Sequence, residues 1–89
     1  MVTWQVEFKP EALDELEKVD PVIAQRVLTK TKWLSENIDQ ITPQTLSGDL
    51  KGLFKLRIGD YRVIYSINRQ RLIITVHLIG HRREVYRGR

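Results

Sequence analysis

Lys55-Leu56-Arg57-Ile58-Gly59-Asp60-Tyr61-Arg62-Val63-Ile64-Tyr65 reads as two β-strands joined by a two-residue turn. Gly-Asp is a hairpin signal, because such turns need backbone that glycine adopts without cost. A turn of that length sets Ile58 against Tyr61, Arg57 against Arg62, Leu56 against Val63 and Lys55 against Ile64. Strand alternation then sorts the side chains onto two faces. Phe54, Leu56, Ile58, Tyr61, Val63, Tyr65 and Ile67 take one face, which must meet a hydrophobic layer. Lys55, Arg57 and Arg62 take the other.

The rest of the chain supplies that layer. Val2, Trp4, Val6 and Phe8 alternate as a first strand should. Pro10 suits a first helical position, and Glu11, Asp14 and Glu15 place negative charge where the helix dipole favours it. A helix over about 10–18 follows, with Ala12, Leu13 and Leu16 as its stripe. Asp20-Pro21 caps a second helix, predicted to run to about residue 36. Val22, Ile23, Val27, Leu28, Leu34 and Ile38 recur along it at helical spacing, with Trp33 beside them. Residues 39–52, holding Pro43, Ser47, Gly48 and Gly52, read as an irregular connection. Runs over 53–58, 61–67 and 71–79 are strands, the last two separated by a turn around Asn68-Arg69-Gln70. Leu72, Ile74, Val76 and Leu78 are expected on the core side of the last strand, and Ile73, Thr75 and His77 on the other. A one-residue bulge would invert that sorting. The expectation is one α+β domain over 1–89. Its order is β-α-α-β-β-β, with a twisted, mainly antiparallel sheet on an N-terminal helical hairpin.

Charge narrows the function. The 89-residue chain carries a net +4, which favours a polyanionic partner. Residues 1–40 hold eight acids and five bases, whereas residues 41–89 hold ten bases and three acids. The basic half is therefore the half that attracts an anion. No cysteine is present, which fits a reducing, cytoplasmic setting. The start MVTWQVEFKP lacks the pattern of a secretory signal, and no apolar run approaches a membrane span. No nucleophile motif, phosphate loop or metal-ligand spacing appears, and no cofactor is implied.

Arginine opposite arginine costs stability. Either both side chains splay into water, or an acid such as Asp49 or Glu84 folds over them, or they surround an anion. Arginine forks suit phosphate oxygens. The segment His81-Arg82-Arg83-Glu84-Val85-Tyr86-Arg87 adds three arginines, a histidine and a tyrosine after Gly80. If it crosses the sheet, Arg82 or Arg83 and Tyr86 join the cations around one cavity. Such a set suits RNA cleavage through the substrate's own 2′-hydroxyl. That reaction needs in-line placement, removal of a proton, stabilisation of the phosphorane and help for the departing 5′-oxygen. Tyr86 or Lys55 are candidate bases, His81 an alternative acid or base, and His77 a weaker one. Lys51, Arg57, Arg82 and His77 are candidate phosphate contacts.

The stretch Leu50 to Tyr65, LKGLFKLRIGDYRVIY, and the closing Ile79 to Tyr86, IGHRREVY, resemble the central hairpin and C-terminal segment of the RelE/ParE toxin superfamily. The resemblance spans essentially the whole chain. It implies a RelE-type toxin that cuts mRNA in the ribosomal A site, leaving a 2′,3′-cyclic phosphate and a 5′-hydroxyl. A cognate antitoxin would neutralise it, and the chemistry would be metal-independent. By position, Lys55 resembles a catalytic lysine, Arg62 the transition-state arginine, and Arg57 a supporting phosphate contact. Tyr86 resembles the tyrosine that orients or activates the 2′-hydroxyl. Counting from Gly80 selects Arg82 as the tail arginine, and counting back from Tyr86 selects Arg83. Leu53 stands where some members carry a second lysine. ParE-type members of the same fold poison DNA gyrase instead, and a silent ribosome or nucleic-acid binder is a further alternative.

Overall fold

A computed structural model describes residues 4–46 and 52–81. Its elements are β1 (Gln5–Phe8), α1 (Pro10–Lys18), α2 (Pro21–Asn37), β2 (Gln44–Thr45), β3 (Phe54–Ile58), β4 (Tyr61–Asn68) and β5 (Ile73–His81). The five strands form one sheet in the order β1-β5-β4-β3-β2. β1 runs parallel to β5, and the other pairings are antiparallel. The expected α+β class and element order are therefore present. β2 is the addition: two residues inside the connection that the sequence leaves irregular.

Local chemistry explains the helix ends. Pro10 opens α1, and Lys18 closes it with a 2.9 Å ion pair back to Asp14, one turn earlier. Asp20 caps α2, its Oδ1 accepting the Val22 N–H at 2.9 Å. Only part of the apolar stripe of α2 is buried. Val27, Thr31, Leu34 and Ile38 enter the core, while Val22, Leu28 and Trp33 stay exposed. Thr31 tolerates burial because its hydroxyl donates to the Leu28 carbonyl at 3.0 Å.

The hairpin register is the one its turn dictates, with Ile58 opposite Tyr61 and Arg57 opposite Arg62. Gly59 has φ of 60°, the left-handed value that the first position of a type II′ turn requires. The sheet's core face contributes Val63, Tyr65, Ile74, Val76 and Ile79, packed on Trp4, Ala12, Val27, Leu34 and Ile38.

One expectation fails in β5. The ladder between β4 and β5 slips between Ile64 and Tyr65: Ile64 pairs with Leu78, but Tyr65 pairs with Val76. His77 is the extra residue. Beyond it the alternation is inverted, so Leu78 joins the face of Lys55 and Ile64 rather than the core. Ile79, 3% exposed, takes the core position instead.

Candidate active site on the cationic sheet face

The face opposite the helices is built in rows across the sheet. Arg57, Arg62 and Gly80 form one row, and Gln44, Lys55, Ile64 and Leu78 the next. Ser66 and Thr75 follow, with the bulged His77 beside them. Lys55 and Arg57 are two residues apart on β3, which separates their Cα atoms by about 7 Å. Gly80, itself buried, places no side chain of its own beside Arg62 in this row.

Both arginines turn toward the hairpin. Arg57 Nε donates to the Gly59 carbonyl at 3.4 Å, and Arg62 Nη1 donates to the same carbonyl at 3.3 Å. Arg62 Nη1 also reaches the Tyr61 carbonyl at 3.1 Å. Among the described residues no acid pairs with Lys55, Arg57 or Arg62. A backbone oxygen is only a partial charge, so the row keeps its appetite for an anion. Asp49 and Glu84, the acids considered as possible covers, lie outside the described residues.

His77 lies on this face but away from the arginines. Its Nε2 is 2.8 Å from Ser66 Oγ, and Ser66 is four residues along β4 from Arg62, about 13 Å. Burial pushes the His77 imidazole below its ordinary range, aided by Lys9 and opposed by Glu11. The ring is therefore neutral at pH 7 and suits hydrogen bonding better than charge neutralisation. His81 takes the other side. It pairs with Tyr61 at the end of β5, their rings 5.7 Å apart and edge to face. By alternation it shares the face of Tyr61 and Ile79, not that of Arg62. The buried Tyr65 phenol, pushed above its ordinary range by desolvation, also belongs to the core face and offers no base here.

The structure thus brings Lys55, Arg57 and Arg62 together, sets His77 further along the same face and turns His81 away. Lys51, Arg82, Arg83 and Tyr86 lie outside the described residues. Gln44 beside Lys55, Ser66 against His77, and Gly80 beside Arg62 went unnoticed in the sequence. Gly80 left no local signal either, because only the one-residue bulge at His77 brings it, in place of Ile79, opposite Arg62. Among the described residues, no group of three or more histidine and acidic side chains is arranged to hold a metal ion.

Residues 6–86 match the family described as the ParE toxin of the type II toxin–antitoxin system parDE. The chain belongs to this toxin family. A RelE-like toxin protein of Escherichia coli is 33% identical over 84 residues, covering 89% of this chain and 83% of the relative. Among solved structures, the RelBE2 toxin–antitoxin complex of Mycobacterium tuberculosis superposes with a TM-score of 0.80 at 28% identity, covering 91% and 93% of the two chains. The RelE–RelB complex of Pyrococcus horikoshii gives 0.72 at 26% identity, covering 91% and 97%. The toxin fold is thereby shared across the RelE and ParE names, as the two sequence motifs implied. Among the described residues, no helix of this toxin is long and apolar enough to cross a membrane.

Proposed function

We propose that this toxin is a metal-independent, ribosome-dependent endoribonuclease. It cuts mRNA in the A site and is held silent in the cytoplasm by its antitoxin. The observation that carries the reading is the cation row: Arg57 and Arg62 are paired across the hairpin, with Lys55 one row away. The scissile phosphate sits over that row. Arg62 faces the oxygens that gain charge in the phosphorane, and Arg57 makes a supporting contact. Lys55 contributes charge and is the described candidate for proton transfer. The 2′-oxygen attacks the adjacent phosphorus while the bond to the 5′-oxygen breaks. A cyclic phosphate and a 5′-hydroxyl result once the attacking oxygen's proton leaves and the departing oxygen gains one. Tyr86, with Arg82 or Arg83, completes the site on the strength of the resemblance.

A cell-free translation reaction with a reporter mRNA tests this directly. Wild-type toxin should produce cuts at codon positions. Arg62→Ala should lower the cleavage rate by roughly 10²–10³, the usual loss for one preorganised donor to a charged transition state. Ribosome co-sedimentation of the variant should persist. A ParE-type reading is the second candidate, because the matched family carries that name. Wild-type toxin that leaves mRNA intact but traps gyrase–DNA cleavage complexes would establish it. Ribosome binding without cuts would instead mark a silent binder.

A further inference from the structure

Beside the cation row, part of β3 lies bare at the outer edge of the sheet. β2 pairs with β3 only as Gln44 with Lys55 and Thr45 with Phe54. Pro43, next in line, has no N–H with which to continue the ladder. The bare stretch presents a peptide edge. In a hairpin with a two-residue turn, the flanking pair Ile58 and Tyr61 exchanges hydrogen bonds, and the next pair, Arg57 and Arg62, does not. The Arg57 N–H and C=O therefore point away from β4, toward the edge that β2 leaves uncovered. A cavity of about 290 Å³ lies at that edge. Leu56 and Arg57 line it from β3, Lys30 and Trp33 from α2, and Thr42 and Pro43 from the segment before β2. Gln44 and Lys55 line it as well, so the cavity adjoins the cation row.

We propose that this cavity receives an unpaired purine base of the strand whose phosphate the cation row holds. The inference rests on the proposed function and adds a specificity-determining subsite to it. Three observations select this occupant. At about 290 Å³ the cavity is at the small end of ligand sites, which run from about 300 to 1,000 Å³, and suits one planar ring system. Trp33, 38% exposed, and Pro43 supply apolar area for the ring faces, and aromatic contact is how unpaired bases are held. The Arg57 peptide sets one donor and one acceptor side by side, and the pairing edge of a purine answers with one acceptor and one donor. The Gln44 amide and the Thr42 hydroxyl, both on exposed residues, add polar groups around the same cavity. A purine covers more of Trp33 than a pyrimidine does, so the larger base is preferred. The Lys55 and Arg57 cations tie the attached backbone to the row.

The test titrates the full-length toxin with trinucleotides of adenine or of uracil whose 2′-hydroxyls are replaced by hydrogen, so that neither can be cut. Binding is followed by NMR at the indole N–H of Trp33, told apart from that of Trp4, the other tryptophan, by its loss in Trp33→Phe. The adenine strand should bind roughly 10-fold tighter than the uracil strand and shift the Trp33 signal. Thr42→Phe, at an exposed position, fills the cavity and should bring the two affinities together. Gln44→Phe, also exposed, carries the test if circular dichroism shows that Thr42→Phe disturbs the fold. Leu13→Glu, on α1 and outside the cavity, should keep the preference. Arg62→Ala should weaken both strands alike. Equal affinities in the wild type, or no binding of either strand, would overturn the proposal. So would a Thr42→Phe toxin that keeps the preference but loses its antitoxin, which would mark the bare edge as a strand-pairing site for protein. Unchanged affinities in Arg62→Ala, with the purine preference intact, would refute the phosphate role of the cation row and not the base site.

Discussion

Replacing Arg57 by glutamine should make this toxin more stable and less active. Arg57 and Arg62 are directly opposed, and each guanidinium reaches the Gly59 carbonyl within 3.4 Å. Sharing one oxygen keeps their nearer nitrogens within about 7 Å of each other. Two unit charges at that distance repel by about 0.6 kcal/mol at the dielectric of water and about 2.4 kcal/mol at an effective dielectric of 20. Arg57 is exposed and Arg62 half-buried, so the lower part of that range applies. Opposed like charges on strands cost about 0.2–1 kcal/mol by a separate measure. Arg57→Gln also loses a long, exposed hydrogen bond, but Arg62 still serves the same carbonyl. A net gain of about 0.3–1 kcal/mol is expected, or about 1–8 °C in Tm for a domain of this size. Thermal unfolding at low salt should show the rise. At about 1 M salt, where the screening length falls to about 3 Å, the gain should vanish. No rise at low salt, or a rise that survives high salt, would refute the repulsion argument. Under the proposed function, cleavage should fall in the same variant, because the charge that strains the cation row is the one assigned to the phosphate.

Two further outcomes follow from the core and from the bulge. Leu34 is fully buried at the centre of the core cluster, so Leu34→Ala should cost about 2–5 kcal/mol in denaturant unfolding, with a smaller loss only if the helices collapse onto the cavity. Burial, with help from Lys9, holds the His77 imidazole below its ordinary range, so the unfolded chain takes up this proton before the folded one does. The neutral ring's contribution is intact above about pH 6.5 and is lost as pH falls through the lower folded value. Chemical denaturation across pH 7.5 to 5 should show that decline, and His77→Asn should flatten it; identical profiles would remove His77 as the source.

The readable part of the site was the part fixed by short-range rules. Gly59-Asp60 sets a two-residue turn, and parity then places Lys55, Arg57 and Arg62 on one face without knowledge of anything else in the chain. His81 stands first in the stretch read as a tail, and the structure gives it another place. It is the last residue of β5, and strand alternation turns it to Tyr61. Ser66 and Gln44 could not be found, because the one gains its partner at a bulge and the other from a two-residue edge strand with no periodicity.

The sequence by itself determined the helix starts marked by Pro10 and Asp20, the order of the elements and the hairpin that carries the cations. Each depends on residues within a few positions of one another, where turn chemistry, capping and alternation act. Only the tertiary structure decided that β1 lies parallel to β5, that His77 bulges out so that Ile79 replaces Leu78 in the core, and that Val22 and Trp33 stay in water. Those outcomes turn on which layer fills the space above the sheet. A local pattern marks a residue as apolar, but packing between distant segments decides whether it is covered.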